Sequence, residues 1–244
     1  MKAIALSLAI VACSYAATAQ TESNRPTSGD YAIGLSFRPD LLFGGNQGFG
    51  PANWFDGLDF RYYGSNVAHQ VNANMFIYAN GVDDVDFEPT GEYQYSYSNF
   101  SVQADARYSF LWMSDIGTNW QVLYGPQIGA GINTQRTTYD YSHSAQEYAD
   151  ANLYGNYFED PITYNNYQLF LGGYAEIDYF ISKSLYVGVS VSIEAAQSFN
   201  PGREINYKRF SPGFVEDVES KSPSSYNLQV TGVNAAFVKF GVVL

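Results

Sequence analysis

Residues that could serve as nucleophile, base and acid lie within one short segment of this chain. His143 stands between Ser142 and Ser144, and Glu147 follows four residues later. In a hydrolytic triad a histidine takes the proton of a serine, and a carboxylate orients the imidazole. Such a triad is defined by geometry, which proximity in sequence does not establish. We therefore predict a solvated loop histidine and no enzyme activity, and we keep His143, Ser144 and Glu147 as the catalytic candidates.

A second group of polar residues could bind a cation. Asp83, Asp84, Asp86 and Glu88 lie within six residues, and clustered carboxylates are typical calcium ligands. The segment lacks the spacing and the glycine of an EF-hand loop, so a solvated acidic loop is the default interpretation. The sequence contains no GxSxG, HExxH or phosphate-binding loop motif, and we predict no cofactor.

The chain begins with the features of a secretion signal. Lys2 provides a positive charge, residues 3–12 form a mostly apolar run, and Ala17-Thr18-Ala19 fits a small-x-small cleavage site. The run is too short to cross a bilayer as a helix. Cys13, the only cysteine, ends a segment that resembles a lipobox, so lipoprotein processing is a rival interpretation. Cleavage after Ala19 would leave a mature protein without thiols, which excludes disulfides and thiolate metal sites.

Eight stretches beyond the signal alternate apolar and polar residues. In residues 99–111, for example, Phe100 and Val102 alternate with Ser101 and Gln103. A period of two over about ten residues is typical of membrane-barrel strands, with one face toward lipid and the other toward the lumen. The eight predicted strands are 31–38, 58–63, 67–78, 99–111, 120–133, 167–181, 185–195 and 228–244.

The connections between the predicted strands alternate in length. Residues 64–66, 113–119 and 182–184 form short turns, whereas residues 39–57, 79–98, 134–166 and 196–227 form longer loops. Outer-membrane barrels have short periplasmic turns and long extracellular loops. We therefore predict an all-β fold, an eight-stranded antiparallel up-and-down transmembrane β-barrel at 31–244, after a signal peptide at 1–19 and a short periplasmic segment at 20–30. The strand-like character of residues 93–97 predicts that the fourth strand begins beyond the membrane, in a hairpin.

Charged residues provide a test of this interpretation. Nine lie within the predicted strands, and all nine fall on the face opposite the apolar residues. A basic residue facing lipid at mid-depth costs about 2–4 kcal/mol, whereas acids and bases inside a lumen can pair. A soluble β-sandwich is the alternative, but it leaves the apolar face of all eight strands and the open sheet edges unexplained. The predicted lumen residues are Arg38, Asp59, Arg61, Asp105, Arg107, Glu176, Asp178, Glu194 and Lys239.

Aromatic residues cluster where the two water interfaces of a membrane would lie. Those near the short turns are Trp112, Trp120, Tyr62, Tyr179 and Tyr186, and those at the opposite strand ends are Tyr78, Tyr93, Tyr95, Tyr97 and Tyr167. The outward parity of His69, near a short turn, predicts a polar residue at the interface. Eight strands enclose room for side chains or for one small ligand. Inward aromatic residues such as Tyr63 and Tyr174 therefore predict a filled lumen without a wide pore.

Acidity is concentrated in the predicted loops. The whole chain has a net charge of −12, and the first three long loops carry −2, −5 and −4. Because phosphate binding needs basic residues, nucleic acid is disfavoured as a partner; divalent cations that bridge to lipopolysaccharide, cationic partners and simple solubility are all compatible. The third loop is also rich in tyrosine, which is common in recognition surfaces. Alternatively, these rings pack on each other above the barrel.

Two segments resemble a known family. Residues 176–188, Glu-Ile-Asp-Tyr-Phe-Ile-Ser-Lys-Ser-Leu-Tyr-Val-Gly, are similar to a strand–turn–strand hairpin of the Bacteroidota outer-membrane β-barrel domain proteins. Residues 239–244, Lys-Phe-Gly-Val-Val-Leu, resemble the terminal strand signal read by the barrel assembly machinery, although an aromatic is usual at the position of Leu244. The mature chain resembles small OmpA/OmpX-type barrels, and most of all the Bacteroidota group that includes PorT-like proteins. The resemblance implies a cell outer-membrane location, with membrane lipid, lipopolysaccharide and the assembly machinery as partners, and no single activity.

Three functions are compatible with the sequence. The leading hypothesis is a non-enzymatic barrel that stabilises the envelope or presents its loops to an extracellular protein or glycan. The second is an enzyme that modifies lipid A through His143 and a nearby serine. The third is a narrow channel or a carrier of a small ligand.

Overall fold

The computed structural model describes residues 23–37, 55–87 and 92–244. The predictions for the signal peptide and the lipobox, for most of the first loop, and for Arg38 and Glu88 lie outside these residues. No helix within the described ranges is long and apolar enough to cross a membrane.

The described chain consists almost entirely of β-strands, which confirms the all-β prediction. The one short helix among them follows the fifth strand. The elements are β1 (Tyr31–Phe37), β2 (Phe55–Tyr63), β3 (Val67–Asp86), β4 (Gln94–Ile116), β5 (Trp120–Tyr141), α1 (Ala145–Asp150), β6 (Gly155–Tyr157), β7 (Ile162–Ser182), β8 (Leu185–Asn200), β9 (Arg203–Ser211), β10 (Phe214–Ser222) and β11 (Ser225–Val243).

Eight of these strands form one antiparallel sheet that closes on itself. Their order is β1-β2-β3-β4-β5-β7-β8-β11, and β11 pairs back onto β1. Ala32 of β1, for example, lies opposite Arg61 on one side and Val243 on the other. The short turns at 64–66, 117–119 and 183–184 all lie at one end of this closed sheet, which we term the short-turn end. The opposite end is the long-strand end, because six of the strands extend well beyond β1 and β2 there.

The alternation along each barrel strand separates two environments. On β7, Glu176 and Asp178 are buried, whereas Leu169, Leu171 and Ile177 are exposed. Leu171 is 65% exposed and Glu176 only 1%, which inverts the usual distribution in a water-soluble protein. From the short-turn end up to the level of Tyr167, the apolar side chains therefore cover the outside of the closed sheet and the ionised ones lie within it; Arg136 and Asp140, on the extension of β5 beyond that level, face outward and are exposed. The exposed outward residues, which we term the outer belt, include Ile33, Phe60, Val71, Met75, Ile77, Ile128, Leu169, Leu171, Ile177, Val189, Ile193 and Phe240.

A girdle of aromatic rings follows the outside of the sheet near the short-turn end. It runs over β1, β2, β3, β4, β5 and β7, and its members are Tyr31, Tyr62, His69, Tyr108, Phe110, Trp112, Tyr124, Trp120 and Tyr179. His69 lies within this girdle, where its Nδ1 is 2.7 Å from the hydroxyl of Tyr108. Aromatic residues with one polar atom suit an interface between water and lipid.

Tyr186 does not belong to this girdle, so its predicted place at the interface is wrong. It shares the inward parity of Ser190, and it is fully buried in the lumen. A Cβ added at Gly241 would overlap the Tyr186 ring, and one at Gly34 would lie 2.9 Å from its hydroxyl. These two glycines of neighbouring strands leave the space in which the ring lies.

Three predicted loops contain regular structure, so those loop assignments are largely wrong. β3 continues to Asp86 and pairs with a β4 that begins at Gln94, which confirms the hairpin predicted for this region. In the last two connections, β6, β9 and β10 form a second sheet of order β10-β9-β6. The extensions carry polar and aromatic residues in place of aliphatic ones, so their apolar alternation is weak. We term α1, β6, β9 and β10 the cap.

The cap packs on the inner face of the extended strands. Tyr95 and Tyr97 have the parity of Asp105, and they pair with Tyr141 and Tyr139 of β5. Tyr141 stacks on Tyr157 with ring centroids 4.3 Å apart. Around these rings, Tyr148 and Phe210 of the cap are completely buried against Phe87 and Tyr93. The tyrosines therefore pack on each other above the barrel, and Tyr154 remains exposed.

This packing corrects the prediction that aromatic residues at the long-strand end form the second water interface. Tyr93, Tyr95 and Tyr97 turn inward to the cap, and Tyr78 has the inward parity of Asn74, so these four do not face outward. Tyr167 does face outward, and it stacks in a row with Phe199 and Tyr226. The outward aromatic row at the long-strand end is therefore formed by β7, β8 and β11.

The segment before β1 lies across the short-turn end. The amide of Gly29 donates to the carbonyl of Tyr63 at 2.8 Å, and the hydroxyl of Ser23 donates to the carbonyl of Thr118 at 3.2 Å. Arg25 forms an ion pair with Asp115. The segment thus joins the end of β2 to the β4–β5 turn and covers part of this end.

Adding one methyl group at Gly241 should destabilise the fold. In Gly241→Ala the new Cβ overlaps the rigid ring of Tyr186, and overpacking of this kind costs about 1–3 kcal/mol. Gly173→Ala is the matched control, because nothing lies within 4 Å of a Cβ at that outward position. Thermal unfolding followed by circular dichroism should show a lower transition temperature for Gly241→Ala alone. Equal transitions in the two variants would contradict this packing.

Candidate functional site

Five ionised residues from three strands meet in the half of the lumen nearer the short turns. Asp59 and Arg61 come from β2, Glu176 and Asp178 from β7, and Lys239 from β11. Each is at most 2% exposed. Each faces inward because its strand alternates with a period of two and the intervening residues belong to the outer belt. We term these five residues the lower cluster.

Arg61 is the centre of the lower cluster. Its Nη1 donates to Asp178 Oδ2 at 2.6 Å, and its Nη2 donates to Glu176 Oε1 at 2.7 Å. Its Nε and Nη2 also donate to Gln70 Oε1, at 3.1 and 2.8 Å, and Nη1 donates to the hydroxyl of Tyr63 at 3.0 Å. Every nitrogen of the guanidinium therefore has an acceptor, as burial of this charge requires.

Lys239 joins the third carboxylate of the cluster, Asp59, to Glu176. Its Nζ lies 2.9 Å from Asp59 Oδ1 and 3.2 Å from Glu176 Oε2. It also donates to the hydroxyl of Tyr174 at 2.5 Å, and Tyr174 in turn donates to Glu176. Glu176 is therefore shared by both cations, so that removal of either one leaves buried negative charge uncompensated.

Neutral residues complete the network, and the sequence did not identify them as part of a site. Gln70 accepts from Arg61 through Oε1, and through Nε2 it donates to Asp59 at 3.0 Å and to Tyr174 at 3.2 Å. Ser36 also donates to Asp59. Their inward parity was visible in the sequence, but only the register shows which charged residue each one contacts.

Three more ionised residues lie nearer the long-strand end. Arg107 is paired with Asp105, and its Nε lies 3.0 Å from Glu194 Oε1. Its guanidinium also lies over the ring of Phe170, 4.4 Å from the centroid, a contact that favours a cation. Asp105 accepts from Asn74 Nδ2 at 3.1 Å. We term Asp105, Arg107 and Glu194 the upper triad.

The structure thus places eight of the nine predicted lumen residues on the inner face. It brings them together as two separate groups, and the ninth, Arg38, lies outside the described residues. Between the lower cluster and the short turns, the lumen is filled by a buried apolar group that includes Leu111, Leu123 and Phe180. From the short-turn end the described lumen therefore passes from apolar packing to ion pairs.

The catalytic candidates are arranged as a helix cap. The hydroxyl and the backbone amide of Ser144 both donate to Glu147 Oε2, at 2.7 and 2.8 Å, and the amide of Glu147 donates back to Ser144 Oγ at 3.4 Å. This is a capping box at the start of α1. These hydrogen bonds from Ser144 hold the pKa of Glu147 below its ordinary value.

His143 contacts a different serine. Its Nδ1 lies 2.9 Å from Ser142 Oγ, and its ring lies on Tyr93 with centroids 4.6 Å apart. Ser142 Oγ also donates to the carbonyl of Gln94 at 3.0 Å. The structure therefore sorts the candidates into two pairs, His143 with Ser142 and Ser144 with Glu147, each with a structural role.

The acidic candidates for a cation site lie at the tip of β3. Asp83, Asp84 and Asp86 are part of that strand, and Asp86 is exposed. The side chains of Asp83 and Asp84, and the whole of Glu88, lie outside what the structure describes. In the described part of the chain, no three His, Cys, Asp or Glu side chains are grouped to hold a metal ion.

Comparison with known proteins adds no relative. No family model, no curated protein and no solved structure matches this chain. The resemblance to OmpA/OmpX-type and PorT-like barrels therefore stays a prediction, and the function is argued from the geometry alone.

Loss of the Lys239 charge should destabilise the fold strongly. Lys239→Met keeps most of the side-chain volume but leaves Asp59 and Glu176 without this partner, and breaking a buried pair in this way costs about 3–5 kcal/mol. Lys221→Met is the matched control, because the ion pairs of Lys221 with Glu204 and Glu219 are exposed, and exposed ion pairs contribute little to stability. Thermal and denaturant unfolding of both variants measures the difference.

A double variant separates the electrostatic effect from lost packing. Glu176→Gln added to Lys239→Met removes the excess negative charge, so the double variant should lose less stability than the sum of the two single variants. Additive losses would show that Lys239 and Glu176 do not interact in the folded protein.

The capping box predicts a titration effect. In Ser144→Ala the pKa of Glu147 should rise part of the way toward its ordinary value, because the hydrogen bond from the Ser144 hydroxyl is lost while the backbone amide of residue 144 can still donate. Ser142→Ala should leave the pKa of Glu147 unchanged. NMR titration of the Glu147 carboxyl carbon measures both. Since the folded pKa is lowered, the stabilisation of α1 by this box is present above the ordinary pKa of glutamate and is lost as the pH falls through the lowered value.

Proposed function

We propose that this protein is an integral outer-membrane β-barrel without enzyme activity, which stabilises the envelope and presents its acidic cap at the cell surface. One observation carries the proposal: between the aromatic girdle and the level of Tyr167, apolar side chains cover the outside of a closed sheet, and all the described ionised residues of that zone point inward. A lipid environment is the solvent that this arrangement fits.

The height of the outer belt supports the proposal. On β7 the girdle residue Tyr179 and the outward Tyr167 are twelve residues apart, which is about 40 Å along a strand. With a strand tilt of about 45°, this corresponds to about 28 Å along the barrel axis. The apolar band of an outer-membrane barrel is about 25 Å tall and has aromatic residues at both edges.

The area of the outer belt is difficult to reconcile with a protein in water. Met75, Leu169 and Leu171 are each more than 60% exposed, and similar residues surround them on neighbouring strands. A soluble monomer rarely exposes one apolar patch larger than a few hundred Å². In water such a surface would drive aggregation, whereas in a bilayer it needs no further cover.

The two ends of the barrel support a surface role. Between the lower cluster and the short turns the lumen contains buried apolar side chains, and the segment before β1 lies across the short-turn end. Both features favour a closed interior over an open channel. At the other end the cap carries acidic residues on exposed strands, such as Glu216 and Glu219 of β10 and Glu159 before β7. These three carboxylates are paired with Arg209, Lys221 and Lys208. The net charge of −4 on residues 134–166, which hold α1 and β6, suits divalent cations or cationic partners outside the cell.

A charge on the outer belt distinguishes a membrane barrel from a soluble protein. Leu171→Arg should reduce the amount of folded protein in the outer-membrane fraction, because an arginine facing lipid near mid-depth costs about 2–4 kcal/mol. Folding is measured by the difference in gel mobility before and after boiling. In a soluble protein the same change at an exposed leucine would be close to neutral.

Phe214→Arg is the matched control. Phe214 is 56% exposed, but it lies at the start of β10 in the cap, outside the outer belt. This variant should fold and fractionate like the unmodified protein. Recovery of the unmodified chain in the soluble fraction, or equal behaviour of Leu171→Arg and Phe214→Arg, would contradict the membrane proposal.

A further inference from the structure

The inner wall changes its chemistry beyond the upper triad. Up to Val82 on β3, and on the facing parts of β4, β5 and β7, none of the described inward side chains is charged. Side-chain amides take the place of the ions: Asn74 and Gln168 lie at the level of Asp105, and beyond it follow Gln103, Asn133, Gln135 and Asn166. An amide offers both a donor and an acceptor, so this wall can bond neutral polar groups.

The strand register arranges these side chains in two rows. In the first row Phe76, Gln103, Asn133 and Asn166 lie opposite one another on β3, β4, β5 and β7. In the second row, two residues further along each strand, the same four strands provide Tyr78, Ser101, Gln135 and Tyr164. Adjacent positions within a row are about 5 Å apart. We term these two rows the amide platform.

The amide platform is open, unlike the lumen below it. Gln103 and Gln135 are exposed although they face inward, and Asn133 and Asn166 are half-buried. Asn166 Oδ1 is nevertheless a buried acceptor for which the described chain provides no hydrogen-bond partner. A buried polar atom without a partner is costly, and a donor from a bound molecule would remove that cost.

Aromatic residues occupy both ends of the platform. Phe76 and Tyr78 lie on β3, and Tyr164 lies on β7. Arg203, at the start of β9 in the cap, covers one face of the Tyr164 ring at 3.6 Å from its centroid. The cap therefore reaches down to one end of the platform, while Tyr78 at the other end is 47% exposed and can stack on a ligand ring.

We infer that the amide platform binds a small neutral saccharide. Sugar hydroxyls both donate and accept hydrogen bonds, which matches side-chain amides, and the apolar face of a sugar ring packs on aromatic residues. The two rows themselves, as described, contain no charged side chain, so an ionic ligand would find no counter-ion within them; the cation beside them, Arg203, lies over the Tyr164 ring at one end. This inference rests on the proposed function, because it assumes a folded barrel whose long-strand end opens to the outside.

Titration calorimetry of the full chain in detergent tests the inference. The neutral probes are maltotriose, cellotriose and N-acetylchitotriose. The charged probes of similar size are trigalacturonate and the deacetylated chitotriose, and an uncharged tripeptide with both ends blocked represents peptide ligands. At least one neutral trisaccharide should bind saturably, and Gln103→Leu should weaken that binding about tenfold through lost hydrogen bonds.

Gln197→Leu is the matched control. Gln197 lies at a similar height on β8, opposite Leu169, and faces outward, so its replacement should leave saccharide binding unchanged. Should Gln103→Leu fail to fold, Gln103→Met keeps the length of the side chain without its amide and should weaken binding of the neutral probes in the same way. Thermal unfolding of each variant is measured alongside.

Three results would overturn the inference: no saturable binding of any neutral trisaccharide, equal or tighter binding of a charged probe or of the peptide, or equal weakening by Gln197→Leu. Membrane insertion is measured independently by the Leu171→Arg and Phe214→Arg comparison. A folded, membrane-inserted protein that binds no saccharide would therefore remove the platform and leave the barrel proposal standing.

Discussion

Arg61 satisfies the constraint on which the rest of the interior depends. A closed sheet with an apolar outside leaves its ionised side chains only the inside, where water is scarce and each charge needs a partner. The guanidinium of Arg61 donates to two carboxylates of β7, Asp178 and Glu176, and to the side chain of Gln70 on β3. Because Lys239 joins Glu176 to Asp59, strands from opposite sides of the barrel are held by one connected set of bonds. The fixed position of these strands then determines which outward residues form the outer belt.

The polarity and burial of the inward side chains change along the axis of the closed sheet. Next to the short turns it is buried and apolar, then come the buried ion pairs of the lower cluster, then the slightly exposed upper triad, and finally the uncharged polar wall of the amide platform. The type of side chain at each height follows its burial. A buried ion pair needs a partner for every donor and acceptor, whereas an exposed amide can form hydrogen bonds with solvent. The glycines beside Tyr186 show the same adaptation on a smaller scale, because they let a large ring lie where the barrel is narrow.

The sequence predicted which residues line the inside of the barrel strands, because a period of two assigns each residue to one face. Charged side chains are favourable on the inner face only. The inward positions of Asp59, Glu176 and Lys239 follow from this parity alone. The regularity fails near Thr231 and Val233, where two register shifts in β11 interrupt the alternation, and the predicted last strand was correspondingly less regular. Tyr186 was misplaced because its nearness to a turn was given more weight than its parity.

Other features could not be predicted from local sequence. The cap depends on pairing between β6 and β9, which are separated by two barrel strands, and no periodicity in either segment indicates its partner. The helix-capping role of Ser144 could have been predicted from the Ser-x-x-Glu spacing of a capping box. The adjacent His143 instead drew attention to a catalytic triad. The platform arises from cross-strand register, which places Gln103 beside Asn133 although thirty positions separate them in the chain.

The cap also constrains the order of biogenesis. Its first parts, α1 and β6, precede the β7–β8 hairpin, and β9 and β10 follow that hairpin. The three-stranded sheet can therefore assemble only after both connections that flank the hairpin have reached the same end of the closed sheet. A chain arrested before that stage would leave the aromatic faces of Tyr95 and Tyr141 uncovered.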